Sequence, residues 1–149
     1  MPTNDNPAQS GMLFSDNRLR EKRLMTVRTL IVLGAGFSGL AVVLGAFGAH
    51  GLESRLSERA LATWHTGVQY HFIHALGLLL LAALWAHVNP SWGLAAAIAF
   101  VLGILLFSGS LYGLALGAPR ILGAVAPIGG TLFILGWLAL AIAALRNTG

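Results

Sequence analysis

All five histidines, His50, His65, His71, His74 and His87, and both tyrosines, Tyr70 and Tyr112, lie inside or beside long apolar stretches. A polar or ionisable group in such a stretch needs a partner or a use. Trp64, Gln69, Ser108, Ser110, Pro127 and Thr131 fall in the same stretches. Facing neutral imidazoles can ligate haem or a metal ion, and histidine with tyrosine and hydroxyl groups can hold a small solute or pass a proton. The same groups can instead bond one helix to another. Tyr70 and His74 are four residues apart and share a helical face, whereas His71 points about 100° away from Tyr70. The chain has no Cys, no acidic residue lies within an apolar stretch, and the histidine spacing is not that of a metal site. Glu53 and Glu58 sit in a polar linker, so no serine–histidine–acid set is formed and catalysis is not supported. No metal or other cofactor is expected.

The elements that carry these residues are membrane spans. The chain has 149 residues, 56% of them hydrophobic and 9% charged, where a soluble domain carries about 25% charge. Apolar runs cover about 27–49, 64–88, 92–116 and 121–145, each long enough to cross about 30 Å of hydrocarbon at about 1.5 Å per residue. The fold class is therefore an all-α membrane protein, a four-helix transmembrane bundle. The break at Asn89-Pro90 and the stop at Gly117-Ala118-Pro119-Arg120 make spans two, three and four antiparallel neighbours. Residues 25–149 form this single domain.

Residues 1–24 are polar and then basic, and are expected to be a disordered cytoplasmic tail. The run after them is too long for a signal-peptide core of roughly 7–15 residues, so it is a retained anchor. Arg18, Arg20, Lys22, Arg23 and Arg28 hold five of the nine basic residues. Their place directly before a span is a topology signal and not a nucleic-acid footprint. With Arg146 after span four, and on the opposite side only Arg120 besides the charge-neutral first linker (Glu53, Arg55, Glu58, Arg59), both termini are expected to face the cytoplasm of a bacterial inner membrane. The linker 50–63 carries Leu52, Leu56 and Ala60 at intervals of four, with Ser57 as N-cap. It predicts a short amphipathic interfacial helix between spans one and two.

Counting at about 1.5 Å per residue puts His74, Ser108 and Thr131 roughly 12–15 Å below the outer surface, with Tyr112 and Pro127 shallower. All four spans thus bring polar groups to the outer half. Gly109, Gly113 and Gly117 repeat every four residues and predict a flat packing face on span three. Pro127 with Gly129-Gly130 predicts a kink in span four. Trp64, Trp85, Trp92 and Trp137 lie near span ends, as interfacial anchors do. Gly34-Ala-Gly-Phe-Ser-Gly39 reads as a dinucleotide fingerprint, but no strand, turn or later α/β pattern accompanies it, so the glycines belong to a span.

Four motifs then follow one another in order: Leu44-Gly-Ala-Phe-Gly-Ala-His-Gly-Leu52; Trp64-x-Thr-x-x-x-Tyr70-x-x-x-His74-Ala75; Leu106-Phe-Ser-Gly-Ser-Leu-Tyr112; and Ala126-Pro-Ile-Gly-Gly130. Together they strongly resemble the domain-of-unknown-function 423 family, the YgdD-like inner-membrane proteins of bacteria, related to transmembrane protein 256 of animals. The resemblance covers about residues 29–144. It implies a four-span plasma-membrane protein and no particular activity. The leading expectation is a non-enzymatic structural or accessory component, embedded in the lipid bilayer and assembling with itself or a larger membrane complex. The alternatives are a small-solute or proton-linked transporter using His50, Tyr70 and His74, and a bis-histidine haem or metal carrier.

Overall fold

Helix boundaries fall where the sequence supplies a cap or a breaker. The computed structural model describes residues 7–147, and the surroundings of side chains from residue 17 onward. Helix α1 runs from Pro7 to Phe47. It includes 7–24, where the sequence reading put an unstructured tail; residues 1–6 of that tail lie outside the described residues. The reason is local. Arg, Leu, Glu and Lys fill positions 18–24 with good helix formers, and no proline follows Pro7 before Phe47, so a helix nucleated in the span propagates outward. A π-helical segment, Gly48–Leu52, ends this first span.

Helix α2 spans Glu58–Leu84. Ser57 is extended at its start and its Oγ accepts from the Ala60 amide at 3.3 Å, which satisfies one of the unpaired donors of the first turn. The amphipathic stretch after Ser57 therefore opens α2 itself. It is not a helix of its own, and what precedes it is the π segment and a turn closed by Arg55 and Leu56 amides on the Leu52 carbonyl. Helix α3 spans Pro90–Gly103, with Pro90 in its first turn and Asn89 Oδ1 accepting from the Ser91 and Trp92 amides. The Asn89 amide donates to the Ala143 carbonyl at 2.8 Å, tying this turn to the last span.

A second π-helical segment, Ile104–Ser108, joins α3 to α4, Gly109–Ala115, and the three pieces form one span. Gly117 ends it with φ 86°, a left-handed position suited to glycine beyond a helix C-terminus. Helix α5, Leu122–Leu145, carries Pro127 inside it. Four helical stretches, Asn17–Leu52, Glu58–His87, Pro90–Ala115 and Leu122–Leu145, are long and apolar enough to cross a membrane. The chain is thus an all-α, four-span membrane protein.

Helix α1 packs on α2, α3 packs on α5, and α2 packs on α4. Leu78, Leu81 and Phe100 are fully buried at the centre. Phenylalanine rings fill gaps left by glycines on neighbouring helices. A Cβ on Gly103 would stand 2.5 Å from the Phe133 ring, and one on Gly136 would stand 2.7 Å from Phe100. At Gly129 the collision is with the Phe107 backbone amide itself.

These are not the glycines expected to pack. A Cβ on Gly109 meets nothing within 4 Å, Gly117 makes the turn, and of the three only Gly113 is crowded, by Leu122. The π segment precedes all three and leaves their mutual spacing unchanged; the face fails because α4 ends at Ala115, before Gly117. Within the fingerprint-like stretch, all of it helical, Gly34 faces Leu79 and the Ala75 carbonyl while Gly36 and Gly39 are open. Trp64 and Trp85 are buried in the core, so neither is an interfacial anchor.

Candidate polar and aromatic seam

The face of α2 that carries Gly67, His71, His74, Ala75 and Leu78 is buried. Its histidines therefore meet the other helices directly. His74 sits between its own helix and α5. Its Nδ1 lies 2.7 Å from the Tyr70 carbonyl, one turn back, and its Nε2 lies 3.1 Å from the indole nitrogen of Trp137. A carbonyl only accepts and an indole N–H only donates. The proton is accordingly on Nδ1, the Nε2 lone pair is occupied, and the ring is neutral. The ring also stacks on Phe133, centroids 3.4 Å apart and planes 10° from parallel.

Three residues further toward the start of α2, His71 meets α4 and α1. Its Nδ1 is 3.2 Å from the Tyr112 hydroxyl, and Phe37 presents an edge to the ring at 5.6 Å. Tyr112 in turn leans on Trp64, centroids 4.7 Å apart, and Trp64 donates to the Leu44 carbonyl at 2.9 Å. Gly48 leaves the room for this indole: a Cβ there would stand 2.7 Å from it. The rings thus form two groups, one around His71 and Tyr112 that joins spans one, two and three and one around His74 and Phe133 that joins spans two, three and four, and α2 carries a histidine of each.

Three buried polar atoms in the described residues have no hydrogen-bond partner: Ser38 Oγ, His71 Nε2 and Ser108 Oγ. Ser108 closes the second π segment and precedes Tyr112, the partner of His71, by one turn. Ser110 is buried as well. Beside the His74–Trp137 contact lies a cavity of about 570 Å³. Its walls include Gln69, Tyr70, His74, Pro127, Thr131 and Trp137. Thr131 turns its hydroxyl back to the Pro127 carbonyl at 2.9 Å, and Tyr70 lays its ring against Phe107 at 4.8 Å.

The structure pairs Trp64 with Tyr112 and, separately, Tyr70 with His74, and places Gln69, Pro127 and Thr131 around the cavity that Tyr70 and His74 also line. It does not bring in His50, which is exposed in the first π segment. His71 and Trp137 were missed as members of the seam. His71 shares the buried face with Gly67 and Ala75, and those small neighbours were the available sign. Trp137 carried none, because its position resembled that of an interfacial anchor. Among the described residues, no three of His, Cys, Asp and Glu gather to hold a metal ion.

Comparison with known proteins puts this geometry in a family. The family model described as "Protein of unknown function (DUF423)" matches residues 44–130, more than half of the chain. That range holds the first three spans' seam residues from Leu44 onward, and Pro127 at the start of the cavity wall. The chain is 46% identical over 125 residues to the UPF0382 membrane protein SERP0230 of Staphylococcus epidermidis, an alignment covering 83% of this chain and 100% of that protein. It is 47% identical over 122 residues to the UPF0382 membrane protein YwdK of Bacillus subtilis, covering 80% and 98%. A UPF0382 membrane protein of Haemophilus influenzae is 40% identical over 119 residues, covering 80% and 93%. No solved structure matches the chain. On the length and identity of these matches, the chain belongs to the DUF423 family of membrane proteins.

Proposed function

We propose that the protein is a non-enzymatic structural or accessory component of the bacterial inner membrane, and that its seam fixes the arrangement of the four spans. One observation carries this reading: both ring nitrogens of His74 are spent on hydrogen bonds within the protein, one of them to another span. A histidine so engaged has no lone pair for haem or metal and no free nitrogen to pass a proton. The ring stacked on Phe133 adds packing to the same contact.

Thermal unfolding of the purified full-length chain in mild detergent tests the reading. If the seam is structural, His74→Ala and Trp137→Phe each lower the melting temperature. If either variant holds or gains stability, as often happens when functional groups are removed, the seam is a ligand site and the reading fails. An absorption scan of the same wild-type sample bears on the haem alternative: a Soret band would overturn the structural reading.

The orientation belongs to the same proposal. Arg18, Arg20, Lys22, Arg23 and Arg28 precede span one and Arg146 follows span four, which supports cytoplasmic termini on the positive-inside rule. A periplasmic reporter fused after Gly149 should be inactive, and an active one would reverse the orientation.

A further inference from the structure

The end of the bundle that carries both termini holds a cavity unlike those along its sides. It encloses about 380 Å³, where the helical extension of α1 passes the α2–α3 turn and the end of α5. Lys22 and Arg23 form one wall, Leu19, Trp85 and Pro90 the apolar side, and Asn147 the rim. Trp85 is buried, so its ring is a fixed floor. The turn that supplies Pro90 is held by the Asn89 amide on the Ala143 carbonyl. Beside it, the Arg146 guanidinium lies over the Trp92 ring, 5.7 Å from its centroid. No Asp or Glu lines the cavity, and Glu21, the acidic neighbour in sequence, points about 100° from Lys22 on the helix.

We propose that this cavity binds the phosphate headgroup of an anionic membrane phospholipid. Three features agree on that chemistry. Two cations stand on one wall with no carboxylate opposite them, which selects a negative charge. Leu19, Trp85, Val88 and Pro90 line the same cavity as the cations, so a ligand with its charge at the cations can rest its glycerol and acyl portions on apolar side chains. The volume lies within the range of ligand pockets, about 300–1,000 Å³. The site exists because α1 stays helical beyond the span; an unstructured tail would carry the same charges without a wall. Either leaflet can contain an anionic lipid, so the assignment does not depend on the side the termini face.

The test uses the full-length chain in neutral detergent, with its melting temperature followed as lipid is added. Phosphatidylglycerol in mixed micelles should raise it saturably, while phosphatidylcholine and inorganic phosphate at equal concentration should not. Lys22→Gln with Arg23→Gln should weaken the phosphatidylglycerol effect by about tenfold or more. Arg18→Gln with Arg20→Gln removes two cations from the same segment but not from the cavity wall, and should change it by less than about threefold. If both pairs weaken binding alike, the attraction is diffuse charge and the site is overturned. An equal response to inorganic phosphate would make it a free-anion site and overturn the lipid assignment. An equal response to phosphatidylcholine would overturn the charge argument.

Discussion

Trp137 on α5 donates its indole N–H to Nε2 of His74 on α2, 63 residues away in sequence and 3.1 Å away in space. Because His74 Nδ1 is turned to the Tyr70 carbonyl at 2.7 Å, this contact also selects one tautomer of a neutral ring. A hydrogen bond between membrane helices contributes only about 0.6 kcal/mol on average. Leaving a buried acceptor without its donor costs more, about 1–3 kcal/mol. The consequence of losing Trp137 is thus set by the orphaned nitrogen and not by the lost bond.

Trp137→Phe should destabilise the bundle by about 1–3 kcal/mol, while His74→Phe with Trp137→Phe should cost less than the two single changes summed. A double-mutant cycle on reversible unfolding in mixed micelles measures the difference. Strict additivity would show that the two residues do not act on each other.

The close approach of the second π segment to α5 gives a sharper prediction. A Cβ at Gly129 collides with the Phe107 main chain, which cannot swing aside as a side chain can. Gly129→Ala should therefore destabilise by more than about 2 kcal/mol, as overpacking against an immovable neighbour does. Gly109→Ala, where the added carbon meets nothing within 4 Å, should be neutral or gain up to about 1 kcal/mol of helix propensity. Melting temperatures of the two variants side by side decide the matter, and similar values for both would refute the π-segment contact.

The four spans and the family were legible because both are written in contiguous runs and ordered motifs, which need no knowledge of what faces what. Ser57 and Asn89-Pro90 were legible for the same reason, since caps act within three residues. The site was only half legible. Tyr70 and His74 could be paired by counting along α2, but their partners Phe133 and Trp137 come from α5, and no single-helix periodicity reveals an opposite helix. The glycine face failed for a different cause. Counting by fours assumes a helix that runs through all three glycines, and α4 ends at Ala115, before Gly117; nor can it tell which face meets a neighbour, and a Cβ on Gly109 meets none. The basic segment 18–24 looked unstructured because it lacks apolar periodicity, yet its residues are good helix formers fused to a long helix.

Tyr112 and Ser108 occupy one face of the third span, and their variants should behave oppositely. The Tyr112 hydroxyl holds His71 Nδ1 at 3.2 Å, so Tyr112→Phe leaves a second imidazole nitrogen buried and unpaired beside Nε2. The expected loss is about 1–3 kcal/mol. Ser108 Oγ is fully buried without a partner. Ser108→Ala removes an uncompensated polar atom and should be neutral or stabilise by up to about 2 kcal/mol. Both substitutions remove one oxygen from one helix face, so their side-chain volume changes nearly cancel in the comparison. If Ser108→Ala destabilises as much as Tyr112→Phe, its hydroxyl is engaged in the folded protein, and a buried water shared with His71 Nε2 becomes the arrangement to look for by high-resolution diffraction.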